Sequence, residues 1–283
     1  MTGDWHNGER DQVRVVSSFD APRKKYFAKA VGLGVSLYEP KCEGERPGAS
    51  DGVRREATYR STPGLDRLHV NHVKQSNPTD PSKPGIVVFD LGKVLVDFDY
   101  SIAGRRIAAR SKLSAAEVQE FLDHSPLLYR YETGLMTRQE FFDRVREHTG
   151  FQGDIGEFGA FFADIFTEMS DMTALHAALR SQGVPTYIFS NTNDLAIEHI
   201  RRNFPFFAGF DGYILSYEVG AMKPTAKIYE ELEKLTSCRG AGILYLDDRQ
   251  ENIDAGAARG WQTILQVDPA QTHAAVKRFG LLK

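Results

Sequence analysis

Four places in the sequence hold side chains able to do chemistry. Asp90 directly follows the apolar run Ile86–Phe89. Ser190-Asn191-Thr192 follow the run Thr186–Phe189, and Asp247-Asp248 begin where the run Ile243–Leu246 ends. Lys223-Pro224 precede the amphipathic stretch Thr225–Lys234. Taken singly, each has an ordinary explanation. An aspartate or a Ser-Asn pair after a strand is a common turn or cap, an Asp pair is a helix N-cap beside an exposed acid, and a lysine before a helix is a solvated entry residue. Taken together and in this order, they suit the transfer of a phosphoryl group. A carboxylate can attack phosphorus to form an aspartyl-phosphate, which makes Asp90 the nucleophile. Two anions repel, so a hard cation such as Mg2+ must sit between them, and the carboxylates of Asp90, Asp247 and Asp248 are the oxygen ligands it prefers. Ser190 can donate its hydroxyl to a phosphate oxygen, with the amides of Asn191 and Thr192 behind it. Lys223 adds a point charge that balances both Asp90 and the phosphate. Asn252 and Asp254 read as supporting residues. Asp254 could orient Lys223, cap a helix or simply lie on the surface.

This chemistry requires a scaffold that brings distant stretches together. The runs Ile86–Phe89, Thr186–Phe189, Ile243–Leu246 and Thr263–Val267 are short, apolar and rich in β-branched or aromatic residues, as strands buried on both faces of a parallel sheet are. Helical periodicity separates them over Asp171–Gln182, Ala196–Phe204, Thr225–Lys234 and Glu251–Arg259. Alternating strands and helices predict an α/β class with a parallel sheet. Ligands of such sheets bind beyond the carboxyl ends of the strands, which is where all four stretches fall.

Between Tyr100 and Ser170 the strand signals vanish. Ser114-Ala-Ala-Glu117 and Thr137-Arg-Gln-Glu140 are capping-box sequences that open helical patterns. Phe121, Phe141, Phe142, Phe158, Phe161, Phe162 and Phe166 recur at helical spacing and predict a small helical core inserted after the first strand.

The composition is that of a globular protein, with 41% hydrophobic and 26% charged residues and a net charge of −3. Such a balance offers no general attraction for nucleic acid or an anionic membrane. Two cysteines, Cys42 and Cys238, make neither a disulfide framework nor a four-cysteine zinc site, and a reducing, cytoplasmic setting is the plain expectation. Asp4, Glu9 and Asp11 precede any apolar segment, which argues against a signal or transit peptide. The charge is uneven. Residues 1–84 hold 14 Lys/Arg against 11 Asp/Glu, a net of +3, which leaves 21 against 27, a net of −6, in residues 85–283. Residues 1–84 have little apolar surface and end in the Pro/Ser/Asn-rich stretch 75–84, so they are expected to be a poorly ordered leader and linker. Only Tyr26–Tyr38 could make a short element there.

The motifs Phe89-Asp-Leu-Gly-Lys-Val94, Phe189-Ser-Asn-Thr192, Lys223 within Gly220-Ala-Met-Lys-Pro224, and Leu246-Asp-Asp-Arg-Gln-Glu-Asn-Ile-Asp254 resemble those of the haloacid dehalogenase-like hydrolases, chiefly Mg2+-dependent phosphatases. The likeness runs from residue 85 to about 270. It implies a Rossmann-like parallel sheet core at 85–98 and 171–283 with a small helical cap inserted at 99–170. It also implies Mg2+ as cofactor and a small phosphorylated metabolite as substrate. The phrases around Asp90 and Tyr131-Glu-Thr-Gly-Leu-Met-Thr137 look most like the bacterial branch that includes α-glucose-1-phosphate phosphatases, which points to a sugar phosphate.

One position departs from that pattern. Such phosphatases usually carry a second Asp two residues after the nucleophile, to protonate the leaving alcohol and then activate water. Here the position is Gly92. Its carbonyl can still bind Mg2+, so the implied ligand set is Asp90, Gly92, Asp247 and Asp248. General acid–base catalysis is worth about 10²–10⁴-fold, and three readings follow. The substrate has an acidic leaving group, such as an anomeric hydroxyl. Another acid substitutes, from Asp97, Asp99 or the cap residue Glu132. Or the protein is a phosphate-ligand sensor or interaction module with weakened catalysis. A haloacid dehalogenase, whose aspartate attacks carbon, also lacks the second Asp, but it needs no metal and leaves Asp247-Asp248 without a task. By position in the cap, Tyr129, Arg130, Tyr131 and Glu132 are expected to contact substrate. Nothing in the sequence speaks to oligomeric state.

Overall fold

The computed structural model describes residues 83–283. The expectations for the leader, including the stretch Tyr26–Tyr38, lie outside the described residues, apart from Lys83 and Pro84.

Five parallel strands form the central sheet. They are β1 (Ile86–Phe89), β4 (Thr186–Ser190), β5 (Gly212–Leu215), β6 (Ile243–Asp247) and β7 (Gln262–Leu265), in the order β5-β4-β1-β6-β7. All four residues of β1 are buried, and so are all five of both β4 and β6, as their unbroken apolar runs predict. Alternate β1 side chains enter different cores. Val87 and Phe89 pack with Met172, Leu175, Ile197 and Val276, whereas Ile86 and Val88 pack with Ile228, Tyr229, Leu232 and Trp261.

Between β1 and β4 the chain makes a long excursion. A second, antiparallel pair, β2 (Val96–Phe98) and β3 (Phe166–Glu168), brackets five helices. These are α1 (Tyr100–Ala108), α2 (Ala115–His124), α3 (Leu127–Glu132), α4 (Arg138–Thr149) and α5 (Ile155–Ala163). Both capping boxes form: Ser114 with Glu117 starts α2, and Thr137 with Glu140 starts α4. The phenylalanine stripe makes a core of its own, in which Phe141, Phe142, Phe158 and Phe162 meet edge-on, tilted or stacked at 5.2–5.9 Å between ring centroids.

The rest of the chain supplies the covering helices α6 (Ser170–Ser181), α7 (Asp194–Asn203), α8 (Ser216–Val219), α9 (Ala226–Thr236), α10 (Gln250–Ala258) and α11 (Pro269–Arg278). The start of α7 is where the inserted helices grip the core. Arg138 Nε donates to Asp194 Oδ2 at 2.8 Å, Arg138 also reaches Glu198 Oε2 at 2.8 Å, and the Tyr131 hydroxyl donates to Asp194. Leu195 of α7 is buried in the phenylalanine core. Gly134, at φ +70°, lets the backbones touch, since a Cβ there would lie 2.2 Å from the Tyr217 carbonyl oxygen.

Three strands were not legible in the sequence. β2 and β3 have three residues each, too few for an alternation to register, and Phe166 therefore reads as the end of the helical stripe although it lies in β3, opposite Phe98. β5 starts on Gly212 and sits at the sheet edge beside β4, without a long apolar run. Among the described residues no helix is long and apolar enough to cross a membrane.

One buried base makes the core sensitive to acid. His176 is stacked on Phe210 at 3.8 Å between centroids, with Nε2 3.1 Å from the Thr186 hydroxyl. Burial, reinforced by the Arg180 charge, pulls its pKa down to about 4. The unfolded chain takes up a proton at about pH 6.5, while the folded chain refuses it until about pH 4. Stability is therefore fully present above pH 6.5 and falls as the pH drops through that window. His176→Gln, which keeps a nitrogen but cannot charge, is expected to flatten unfolding free energy against pH by about one proton between pH 6.5 and 4. Denaturant titrations across that range measure the slope, and an unchanged slope would contradict this account.

Candidate active site

The sheet register brings three of the four chemically equipped stretches to one edge. Phe89 is level with Leu246 on one side and Ile188 on the other. The next residue of each strand therefore places Asp90 beside Asp247, with Ser190 just beyond. The central strand β1 is thus flanked at its carboxyl end by β4 and β6, the crevice where parallel sheets bind ligands.

Lys223 ties the group together. It arrives on the loop before α9 and is buried, with 3% of its surface exposed. Its Nζ lies 3.0 Å from Asp90 Oδ1 and 2.7 Å from Asp247 Oδ2, and it donates to the Phe189 carbonyl at 2.7 Å. Burial pulls the ammonium toward neutrality, but the charges of Asp247 and Asp90 outweigh it and hold the pKa above the ordinary lysine value. Asp90 is shifted the other way. Burial, reinforced by the like charges of Asp247 and Asp248, pushes its carboxyl well above the usual range against the pull of Lys223.

The loop that carries Lys223 is pinned by Asn191. The Asn191 amide nitrogen donates to the Lys223 carbonyl at 3.0 Å, and the Lys223 backbone N–H donates to Asn191 Oδ1 at 2.8 Å. The Asn191 carboxamide is thus engaged in holding Lys223. The Thr192 backbone N–H is engaged too, donating to Ser216 Oγ at 2.9 Å. Ser190 is buried, and its hydroxyl makes a long 3.4 Å contact with the Asn191 carbonyl.

The two neighbouring aspartates are not equivalent. Asp247 is fully buried and accepts from Lys223, from the Tyr245 hydroxyl, from the Arg249 backbone N–H at 2.8 Å, and from Asn252 Nδ2 at 3.0 and 3.1 Å. Asp248 is half-buried. Asp90, Asp247 and Asp248 each offer a carboxylate oxygen, all within 4.8 Å of one another. Three acids against one ammonium leave an excess of negative charge on hard oxygen atoms, a donor set that suits a small divalent cation.

Other expectations resolve differently. Asp254 does not orient Lys223. It is exposed and accepts from Gln250 Nε2 at 2.7 Å, because α10 turns it away from the sheet. Tyr131 is buried, stacked on Phe141 at 4.5 Å with its hydroxyl on Asp194, so it braces the inserted helices instead of meeting a ligand. Tyr129 and Arg130 are exposed. Gly92 is covered by an aromatic ring, since a Cβ there would lie 2.8 Å from Phe98 Cε1. Sequence reasoning missed Tyr245 and Ser216. Tyr245 looks like one more apolar strand residue, and Ser216 carries no motif.

Because Lys223 is the counter-charge of two buried carboxylates, Lys223→Met is expected to destabilise the fold by about 3–5 kcal/mol. Pairing it with Asp90→Asn should recover part of that loss in chemical denaturation. A single-variant loss under about 1 kcal/mol, typical of an exposed ion pair, would contradict this role.

Comparison with known proteins agrees with this architecture. Residues 85–260 match the family model for haloacid dehalogenase-like hydrolases. The chain is 27% identical over 187 residues to a D-ribitol-5-phosphate phosphatase of Bacteroides thetaiotaomicron, a match covering 62% of this chain and 89% of that protein. A stretch of 89 residues is 32% identical to a sesquiterpene phosphatase of Aspergillus oryzae, covering 31% of this chain and 45% of that one. Among solved structures, a haloacid dehalogenase-family enzyme of B. thetaiotaomicron in complex with magnesium and inorganic phosphate superposes with a TM-score of 0.59 at 22% identity, over 67% of this chain and 98% of that one. A family hydrolase of Porphyromonas gingivalis gives the same score and identity over 68% and 98%. The family match spans more than half of the sequence and coincides with the residues that build the parallel sheet and its acidic crevice, so this chain belongs to the haloacid dehalogenase-like hydrolases.

Proposed function

We propose that this protein is a Mg2+-dependent phosphatase of a small phosphorylated metabolite, a sugar or sugar-alcohol phosphate, working through an aspartyl-phosphate on Asp90. The observation that carries the reading is the Lys223 ammonium lodged between Asp90 at 3.0 Å and Asp247 at 2.7 Å, with Asp248 completing the carboxylate cluster. The named relatives, both phosphatases, support the reaction class. The sugar-alcohol substrate of the B. thetaiotaomicron relative supports the substrate class. The finer resemblance to α-glucose-1-phosphate phosphatases rests on the phrases around Asp90 and Tyr131–Thr137 alone.

Asp90 and Asp248, with the Gly92 carbonyl, would hold the cation, and Asp247 would keep Lys223 in place beside it. A bound Mg2+ supplies charge neutralisation between the nucleophile and the phosphate. The remaining work falls to the chain. Asp90 Oδ1 is fixed by the Leu91 N–H at 2.7 Å and by Lys223, which orients the carboxylate toward the crevice. Ser190 donates to a phosphate oxygen, Asn191 serves phosphate through its main chain while its side chain holds Lys223, and Lys223 offsets the charge of both anions. Residues 99–170 act as a cap over the site, excluding water from the reacting centre.

Phosphate release from a panel of sugar and sugar-alcohol phosphates tests the proposal. Activity should require Mg2+, vanish with EDTA and return on adding Mg2+ back. Asp90→Asn should lower turnover by at least about 10³-fold, in the range seen when a nucleophile is removed. Equal turnover by wild type and Asp90→Asn would overturn it. Asn252→Ala, which removes a buried donor from Asp247, should cost about 1–3 kcal/mol of stability and lower turnover with no change in substrate preference. A gain in stability would contradict its place beside Asp247.

A further inference from the structure

An alkoxide leaves phosphorus readily only when it is protonated, and water attacking an acyl phosphate must give up a proton. None of the groups placed so far does this. Asp90 is the nucleophile, Lys223 is held between two carboxylates, and Asp247 is bonded to Lys223, Tyr245, Arg249 and Asn252. Gly92 has no side chain, and the Phe98 ring occupies the space a side chain there would need.

The sequence offers three carboxyl groups as substitutes, Asp97, Asp99 and Glu132. Asp97 is exposed, paired with Lys93, and accepts from the Phe98 N–H at 2.8 Å. Asp99 is exposed and caps α1 by accepting from the Ser101 N–H at 2.8 Å. Both are committed at the surface. Glu132, at the end of α3, is only 6% exposed.

Two separate lines of contact lead to Glu132 from the two loops of the site. The first starts at the nucleophile loop. The Phe98 ring that covers Gly92 meets Tyr100 edge-on, with 5.5 Å between centroids, and the Tyr100 hydroxyl lies 3.5 Å from Glu132 Oε1. The second starts at the phosphate loop. Ser216 Oγ accepts from the Thr192 N–H and donates to the Glu132 carbonyl. Glu132 is therefore held where the inserted helices meet both loops, beyond the carboxyl ends of the strands. A phosphate bound near Ser190 and Lys223 and attacked in line by Asp90 directs its ester oxygen away from Asp90.

We infer that Glu132 is the proton carrier of this site. The inference rests on the phosphatase reading above. In the first step an Asp90 carboxylate oxygen forms a bond to phosphorus. The bond from phosphorus to the ester oxygen breaks, its electron pair goes to that oxygen, and the oxygen takes the proton of the Glu132 carboxylic acid. In the second step the Glu132 carboxylate takes a proton from water as the water oxygen bonds to phosphorus. The bond from phosphorus to Asp90 breaks, inorganic phosphate leaves, and both side chains return to their starting state.

The experiment compares wild type, Glu132→Gln, Glu132→Asp and Asp90→Asn with Mg2+ on two substrates, a sugar-alcohol phosphate and an aryl phosphate whose leaving group needs no proton. Glu132→Gln is expected to lose about 10²-fold or more in kcat on the sugar-alcohol phosphate. On the aryl phosphate it should release a burst of one aryl alcohol per site and then turn over slowly, because the phospho-enzyme lacks its base. Glu132→Asp retracts the carboxyl by one methylene and should keep KM while losing kcat. It provides the same reading if Glu132→Gln fails to fold. An unchanged kcat with a raised KM on the sugar-alcohol phosphate, or a Glu132→Gln enzyme without a burst, would overturn the role of Glu132. Wild type inactive on both substrates, or equal to Asp90→Asn, would instead overturn the phosphatase reading itself.

Discussion

A single buried ammonium lies between two buried carboxylates, and much of the site is arranged around that contact. Lys223 is 3% exposed, Asp90 5% and Asp247 fully buried. Charges this far from water are tolerated only when paired and hydrogen-bonded. The fold meets that requirement with contacts from three directions. The Phe189 carbonyl receives the third contact of Lys223, Asn191 clamps its backbone, and Tyr245, Asn252 and the Arg249 N–H complete the shell of Asp247. The pairing remains incomplete, because Asp248 adds a third negative charge within 4.8 Å. The residual charge adds to burial in raising the pKa of Asp90, and it makes the crevice receptive to a divalent cation.

The same constraint explains why residues far apart in the chain are joined by polar contacts at this end of the sheet. The loop after β4 holds the loop before α9 through Asn191, and Ser216, at the start of α8, links Thr192 to Glu132. The inserted helices are further anchored at α7, where Asp194 gathers Arg138 and Tyr131. An acid at the first turn of a helix also suits the helix dipole, so Asp194 joins two kinds of favourable contact at one position. These contacts hold the inserted helices against the core by specific bonds as well as by apolar packing.

Much of the fold was legible because its signals are local. The runs of β1, β4 and β6 stand out as apolar and β-branched, and the helices around them begin and end within a few residues of their periodic patterns. The two capping boxes formed as their spacing dictates. The strands that escaped notice, β2, β3 and β5, are three or four residues long and draw their pairing from partners, not from their own composition. The reading of Asp254 as a partner of Lys223 failed for a related reason. Sequence distance from Asp247 is short, but the helical turn points Asp254 outward and Asn252 inward.

By itself the sequence determined which residues could do chemistry and that they would gather at strand ends, since an apolar run followed by a polar residue ends a strand wherever it folds. It also determined that residue 92 would lack a carboxylate. Only the tertiary structure decided how those residues divide their roles. Which aspartate would face Lys223, that Asn191 would brace the lysine loop, that Tyr131 would turn inward onto Asp194, and that Phe98 would cover Gly92 all depend on contacts between segments more than 20 residues apart or on the tight turn of a loop. Strand and helix signals reach a few residues along the chain. The electrostatics of a buried site are set by neighbours in space, and those neighbours exist only once the sheet has assembled.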